Sequence, residues 1–252
     1  MSTSPTSGIT PREPALLGQT VVLIGGSAGI GLETARLARA EGAEVVLAGR
    51  DPERLERAAR EVEARGTAAF DASDAVALER FFGGLADPID HVLVTAGGPA
   101  YGPMLEMDAD QVREALSGHV VVGLEVARYA AAKMPPGGSL LLMGGTGGRR
   151  ISRALGIASA ATAALPPFVA ALALELAPVR VNLIAPGFVD TPLSASLLGD
   201  QLGARREELR ATLPIGRVVT PADVAALAVH IMTNTALTGA TYDIDGGQQL
   251  VP

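Results

Sequence analysis

Residues 20–31 are Thr20-Val21-Val22-Leu23-Ile24-Gly25-Gly26-Ser27-Ala28-Gly29-Ile30-Gly31. The first five are apolar or β-branched, as in a buried strand, and the residues from Ile30 to Glu41 have helical spacing. The glycines between them let the backbone turn tightly and approach a ligand. A helix amino terminus offers unpaired N–H groups and a positive dipole to a phosphate. The stretch therefore predicts a phosphate-binding turn, with a tight turn that binds nothing as the alternative.

Strands and helices alternate along the rest of the chain. Near-continuous apolar strands in such an alternation are typical of a parallel sheet covered on both faces. We predict an α/β fold, a Rossmann-type doubly wound parallel sheet of about seven strands, in a single domain over residues 17–252. Residues 1–16, which are polar and rich in Pro, Ser and Thr, are predicted to form a flexible tail.

The predicted elements follow from the apolar periodicity. The strands are Thr20–Ile24, Glu44–Ala48, Ala68–Phe70, His91–Thr95, Ser139–Met143, Val179–Ile184 and Thr241–Ile244. The helices are Ile30–Glu41, Pro52–Arg65, Ala75–Leu85, Ala109–Lys133, Ser159–Leu176 and Pro221–Thr233. The stretch Asp190–Pro214 looks irregular, and we interpret it as a lid over a ligand or as a surface excursion.

The composition excludes several classes of function. The 252 residues are 48% hydrophobic and 19% charged, with a net charge of −7 and no cysteine. The share of hydrophobic residues fits a globular core. The lack of cysteine excludes disulfides, a cysteine nucleophile and a metal site built on thiolates, and we expect no metal. We also expect no nucleic-acid partner, because no basic run is present. No signal peptide is evident, and we expect a cytoplasmic protein.

One uncharged segment, Ala154–Leu174, is long enough to suggest a membrane span. It is interrupted by Pro166 and Pro167, and we interpret it as a buried helix of a globular protein or of a subunit interface. An interior proline removes a backbone hydrogen bond. We therefore predict that the helix kinks or restarts at Pro166, and we expect no membrane partner.

Ligands of such sheets bind beyond the carboxyl ends of the strands. The second strand ends at Gly49 and is followed by Arg50 rather than by an acidic residue that would accept from a ribose hydroxyl. A guanidinium suits a 2′-phosphate, so NADP(H) is favoured over NAD(H), unless Arg50 is merely solvated. Asp71, after the third strand, either accepts from the adenine amine or caps the next helix.

These residues resemble the short-chain dehydrogenase/reductase (SDR) superfamily, in its branch of about 250 residues. The resemblance covers about Leu17 to Leu250, although Ile24 replaces a usual threonine. It rests on the glycine motif, on Thr95-Ala96-Gly97, on Pro186-Gly187-Phe188-Val189-Asp190-Thr191 and on the stretch Thr238 to Gly247. The cofactor-binding residues that the motifs imply are Gly25, Ser27, Gly29, Ile30, Gly31, Arg50, Asp71, Ala72, Ala96, Gly97, Pro186, Gly187, Val189 and Thr191.

The family's catalytic pattern is absent from this chain. The resemblance places its serine, tyrosine and lysine at Gly145, Ala158 and Thr162, and the helix asparagine of its proton relay at His119. Neither Gly145 nor Ala158 has a side chain that can move a proton. The single lysine, Lys133, ends a helix at the edge of the sheet opposite to the ligand edge.

Substitute groups near the predicted site are few. Tyr101, His119 and Thr146 are the candidate proton donors, with the alternatives of a loop tyrosine, a satisfied helix histidine and a strand-end hydroxyl. Arg149 and Arg150, with Arg153 nearby, follow the fifth strand, where the family opens its substrate pocket. Guanidiniums there would bind an anionic small-molecule substrate, unless the loop is merely solvated.

Three functions remain open at this point. The first is an NADP(H)-dependent oxidoreductase that uses non-standard proton donors on a small-molecule carbonyl or alcohol. The second is a cofactor-binding pseudo-enzyme that acts as a sensor or partner subunit. The third is a non-redox cyclase or isomerase on the same fold. Family members assemble through their long helices and last strand, so we expect a homodimer or homotetramer.

Overall fold

The structure is a computed structural model of the chain, and it describes residues 12–149 and 153–251. Its seven strands are β1 (Thr20–Ile24), β2 (Glu44–Gly49), β3 (Gly66–Ala69), β4 (His91–Val94), β5 (Ser139–Met143), β6 (Arg180–Pro186) and β7 (Thr241–Ile244). They form one parallel sheet in the order β3-β2-β1-β4-β5-β6-β7. The order reverses between β1 and β4, which is where a doubly wound sheet opens a ligand crevice. The predicted fold class is confirmed.

Nine α-helices lie in the described residues. They are α1 (Gly29–Ala40), α2 (Pro52–Val62), α3 (Ala75–Gly84), α4 (Ala109–Ala130), α5 (Gly156–Ala163), α6 (Leu165–Glu175), α7 (Pro192–Leu198), α8 (Leu202–Thr212) and α9 (Pro221–Thr233). The stretch predicted to be irregular, Asp190–Pro214, is therefore mostly helical. Helix α7 has only seven residues and α8 buries only Leu209, so apolar periodicity did not reveal them.

The sheet has an apolar core on each face, because successive side chains of a strand point to opposite sides. In β1, Val21 and Leu23 pack with α1, α2 and α9, whereas Val22 and Ile24 pack with α3, α4 and α6. Both faces are thus covered, which explains why the inner strands are mostly apolar, whereas the edge strands β3 and β7 are only partly buried.

The apolar segment with two prolines forms α5 and α6. Helix α5 ends at Ala163 and α6 begins at Leu165, with Pro166 in its first turn, where a missing N–H is tolerated. The predicted restart at Pro166 is confirmed. Residues Gly156–Glu175 pass a membrane-span test by length and composition alone. In the fold they pack into the core through Leu165, Val169 and Leu172, as a buried helix does.

The described part of the predicted tail, residues 12–16, lies against the domain. Leu16 is fully buried. The N–H of Ala15 donates to a side-chain oxygen of Glu41 at 2.9 Å, and the N–H of Leu16 donates to the carbonyl oxygen of Glu41 at 2.9 Å. The packed domain therefore includes Leu16, one residue earlier than the predicted boundary. Residues 1–11 lie outside the described residues.

Candidate functional site

The candidate site begins at the glycine turn between β1 and α1. Gly25 and Gly29 have positive φ angles of 98° and 53°, a conformation that favours glycine. A Cβ built on Gly25 would lie 2.4 Å from the hydroxyl oxygen of Thr95, and one on Gly31 would lie 2.2 Å from the carbonyl oxygen of Gly25. Both positions therefore require glycine, and the turn brings bare backbone to the edge of the sheet.

The amino terminus of α1 is prepared for an anion. Ala28 is its N-cap residue, and in this fully described stretch no side chain caps the helix and no acidic residue lies in its first turn. Because the first N–H groups of a helix lack partners within it, they can donate to a phosphate. These residues fit the pyrophosphate of a dinucleotide, with Ser27 and Ile30 in the same turn.

The adenosine end of the site lies beyond β2 and β3. Arg50 is exposed directly after β2, while a Cβ on Gly49 would lie 3.2 Å from Ser27 Oγ, so the glycine turn and the tip of β2 are in contact. Asp71 lies two residues beyond β3. Hydrogen bonds from Ser73, and the charge of Arg50, hold the pKa of Asp71 below its usual value. This keeps an acceptor carboxylate beside the arginine.

The capping alternative for Asp71 is wrong. Helix α3 is capped by Asp74, whose carboxylate accepts from the N–H groups of Val76 at 3.0 Å and Ala77 at 3.1 Å. Asp71 instead accepts from the N–H and hydroxyl of Ser73 through one oxygen. Ala72, between the two aspartates, is buried.

The loop after β6 closes the other side of the crevice. Pro186 ends β6, Val189 is buried, and Thr191 caps α7 by accepting from the N–H of Ser194 at 3.1 Å. A Cβ on Gly29 would lie 3.5 Å from Thr191 Cβ, so the first turn of α1 faces the start of α7. The two cofactor segments predicted from the glycine motif and from residues 186–191 therefore meet at one edge of the sheet.

Two residues that hold this loop escaped the sequence analysis. Phe188 donates its N–H to Gln248 Oε1 at 2.8 Å, and a Cβ on Gly187 would lie 2.5 Å from the same oxygen. Arg206 of α8 donates to Asp190 Oδ1 at 2.7 Å. Both contacts join residues far apart in sequence, which a local motif cannot reveal.

The three positions that correspond to the family's serine, tyrosine and lysine offer few polar side-chain groups. Ala158 is buried in α5. The Thr162 hydroxyl donates to the carbonyl oxygens of Ala158 at 2.9 Å and Ser159 at 3.2 Å, as a helix threonine commonly does. Its methyl carbon would lie 3.6 Å from a Cβ built on Gly145. At these three positions the structure therefore presents backbone and methyl groups.

The candidate proton donors lie after β4 and β5. His119, on α4, lies beside Gly97: a Cβ built on Gly97 would be 3.5 Å from its Cε1 and Nδ1 atoms. Burial lowers the pKa of His119, so its imidazole is neutral at neutral pH. Thr146 is buried in a short 3₁₀ turn that follows β5. Ala96, between Thr95 and Gly97, donates to the carbonyl oxygen of Ile24 at 3.1 Å.

Tyr101 belongs to a loop that is docked on α5. The N–H of Gly102 donates to the carbonyl oxygen of Ala154 at 3.0 Å, and a Cβ on Gly156 would lie 2.3 Å from Met104 Sδ. Tyr101 keeps 52% of its surface exposed, and the partial burial of its ring raises the pKa of its hydroxyl. The hydroxyl is therefore protonated at neutral pH.

The arginines after β5 differ in their surroundings. Arg149 forms an ion pair with Asp243 of β7, and Arg153 is exposed. Arg150 lies outside the described residues. The lysine Lys133 donates to the carbonyl oxygen of Leu85 at 2.6 Å and pairs with Asp87 at 3.1 Å, at the opposite edge of the sheet.

Comparison with known proteins gives consistent matches over nearly the whole chain. A family model described as enoyl-(acyl carrier protein) reductase matches residues 25–249. The chain is 30% identical over 246 residues to the uncharacterized oxidoreductase MT0954 of Mycobacterium tuberculosis, covering 91% of each. It is 29% identical to the short-chain dehydrogenase/reductase ATR9 of Stachybotrys chlorohalonatus, covering 93% of this chain and 98% of that one. The structure of BdcA in complex with NADPH superposes with a TM-score of 0.83 at 27% identity, over 92% of this chain and 95% of that one.

Proposed function

This chain belongs to the short-chain dehydrogenase/reductase superfamily, and on that premise we propose that it is an NADP(H)-dependent oxidoreductase of small-molecule carbonyl or alcohol substrates with non-standard proton donors. The observation that carries the proposal is the complete cradle of bare backbone between β1 and α1, closed by Thr191. Glycine at these positions lets α1 begin close to the sheet, and the first N–H groups of α1 are left without a side-chain cap, so they can donate to a phosphate.

The residues that would hold the cofactor are those of the cradle and of the two strand tips beside it. Ser27 and the first N–H groups of α1 would bind the pyrophosphate, Arg50 the 2′-phosphate and Asp71 the adenine amine. Ala96, Gly97 and residues 186–191 would border the nicotinamide. When bound, NADPH supplies the hydride for reduction of a carbonyl carbon.

Reduction of a carbonyl also requires a proton for its oxygen. Tyr101 is protonated at neutral pH and belongs to the loop that follows β4, so we assign it as donor. His119, beside Gly97, would relay a proton from solvent to Tyr101, one ring nitrogen taking a proton up as the other gives one away, or would orient the substrate oxygen. Thr146 would offer a hydroxyl from the β5 side. In the oxidative direction the neutral imidazole of His119 would accept the proton, directly or through the Tyr101 hydroxyl.

The test follows NADPH consumption over a panel of ketones, aldehydes, imines and activated alkenes. We expect saturable turnover that falls about 100-fold or more in a Tyr101→Phe/His119→Ala double variant. The matched control is Tyr129→Phe/His230→Ala, which changes a tyrosine late in α4 and an exposed histidine of α9. Unchanged turnover in the first variant would remove Tyr101 and His119 from the mechanism.

A cofactor-binding protein without redox turnover is the second candidate. The Thr162 hydroxyl committed to its own helix, together with Gly145 and Ala158, favours it. It predicts NADPH binding by calorimetry and no NADPH consumption with any member of the panel. Product formation without cofactor oxidation would instead indicate the cyclase or isomerase alternative.

We also propose that the protein is a homodimer or homotetramer in the cytoplasm. Helix α4 exposes Val121 and Leu124, and α6 exposes Leu174, and exposed apolar side chains on long helices support a subunit interface there. Light scattering should give a molar mass that is a multiple of 25.6 kDa. The Leu124→Glu variant should have the mass of the monomer. Leu17→Glu, at an exposed leucine before β1, is the control. Fractionation of expressing cells tests the location.

A further inference from the structure

Two apolar segments follow strands at the edge of the sheet that carries the candidate site. One is the loop after β4, residues 99–107, in which Tyr101 and Met104 are about half exposed and Leu105 is fully exposed. The other is α7, in which Leu193 and Leu197 are about half exposed. These two leucines are four residues apart and so share one helix face. Helix α7 contains no charged residue, and the loop contains only Glu106.

The positions that resemble the family's catalytic ones are apolar as well. Met104 lies on Gly156 at the first turn of α5, and beyond it the structure presents buried Ala158, Gly145 and the methyl of Thr162. Because the Thr162 hydroxyl donates its hydrogen within its helix, it has no hydrogen to donate to a substrate oxygen.

Two nearby cations are already neutralised. Arg149 is paired with Asp243, and Arg206 with Asp190 at 2.7 Å. An anionic substrate would therefore compete with an aspartate for either guanidinium. Arg153 is the other exposed arginine described between β5 and α5, and a carboxylate compound in the experiment reports whether it attracts an anion.

From these observations we infer that the site takes an uncharged, extended apolar carbonyl compound, held between residues 101–105 and the Leu193–Leu197 face of α7. This inference rests on the proposed function for the position of the reacting carbonyl, which lies at the nicotinamide end of the site. It replaces the anionic substrate expected from the arginines after β5 with a substrate recognised by its carbon skeleton.

The experiment uses methyl ketones from 2-butanone to 2-decanone. Their binding to the protein with NADP⁺ is measured by calorimetry, where no turnover occurs, and their KM is measured separately with NADPH. We expect Kd to fall up to about fourfold for each added methylene until the apolar segments are spanned. A 2-decanone counterpart with a terminal carboxylate should bind at least tenfold more weakly than 2-decanone.

The variant Leu193→Gln/Leu197→Gln should flatten the dependence of Kd on chain length, whereas Leu17→Gln should leave it unchanged. A Kd that is independent of length, tighter binding of the carboxylate, or equal behaviour of the two variants would overturn the inference. A Kd that falls with chain length, with no NADPH consumption, supports the inference and contradicts the proposed redox function. The failure of the inference and the failure of the proposed function are therefore distinguishable.

Discussion

Gly31 lies so close to Gly25 that a Cβ built on Gly31 would stand 2.2 Å from the carbonyl oxygen of Gly25. Gly31→Ala therefore has to push α1 away from the preceding turn. We expect NADPH binding to weaken more than tenfold and the protein to lose about 1–3 kcal/mol of stability. Calorimetry and chemical denaturation measure the two effects. The control is Gly83→Ala in α3, where a Cβ meets nothing within 4 Å. This substitution should stabilise the helix slightly.

Arg50→Gln should change cofactor preference without changing the fold. The exposed guanidinium after β2 is the group proposed to bind the 2′-phosphate, and a hydrogen bond to a charged group contributes about 1.5–3 kcal/mol. NADPH should therefore bind about 10- to 100-fold more weakly, while NADH binding stays the same. Arg54→Gln, which removes an exposed arginine paired with Asp51 at 3.6 Å, serves as the control. An equal loss for both cofactors would refute a phosphate-specific role.

Gly156→Ala should displace the loop that carries Tyr101. The new methyl group would occupy the place of Met104 Sδ, at 2.3 Å, and the flexible methionine has to swing out. We expect KM for carbonyl substrates to rise severalfold with NADPH affinity unchanged. Adding Met104→Ala removes the clash and should restore part of the loss, which a double-mutant cycle measures. Additive effects of the two changes would mean that this contact does not position the loop.

His91 should make the protein less stable in acid. It is buried, with Nδ1 at 2.9 Å from Ser139 Oγ and Nε2 at 2.7 Å from Gln19 Oε1, and burial together with the charge of Arg180 lowers its pKa to about 3. The unfolded chain, with a histidine pKa near 6.5, binds the proton more readily than the folded one. Stability from neutral His91 is therefore complete above about pH 6.5 and is lost as the pH falls toward 3, by about 2 kcal/mol at pH 5.

Urea unfolding of the protein and of His91→Gln between pH 4.5 and 8 tests this expectation. The variant should be less stable at pH 8, because it disturbs the contacts with Gln19 and Ser139, but its stability should vary less with pH. His230→Gln, at an exposed histidine, should keep the pH dependence of the parent protein. Parallel pH profiles for the parent and the His91 variant would contradict the assignment.

Arg149→Gln should have little effect on substrate binding. Its guanidinium is paired with Asp243 and half exposed, and exposed pairs of this kind contribute about 0–1 kcal/mol to stability. KM values for substrates with and without a carboxylate should therefore stay within about twofold of the parent. A selective rise for the carboxylate substrate would show that the arginine leaves Asp243 to bind it.

The sequence predicted the sheet and most helices because the inner strands, such as β1, β4 and β5, are buried on both faces and hence mostly apolar. It also predicted the cradle, because Gly25, Gly29 and Gly31 are needed for local backbone reasons. Helices α7 and α8 were missed: Thr191 with Pro192 is a helix-start signal, but α7 has only seven residues, too few to establish a helical period.

The docking of the β4–α4 loop was beyond prediction from sequence. Met104 and Gly156 meet across 52 positions of the chain, and only the fold brings them together. The same holds for Arg149, whose partner Asp243 lies on β7, and for Gln248 beneath Phe188. Local patterns report how a backbone turns, whereas these pairs depend on which strand is placed beside which.

The contact between Gly29 and Thr191 has a consequence for how the protein is made. Synthesis proceeds from the amino terminus, so the ribosome has to release more than three quarters of the chain before the two walls of the crevice can meet. Until then a nascent chain has only half of the binding surface for a dinucleotide. Cofactor supply should therefore protect the finished protein from degradation far more than it helps the early stages of its folding.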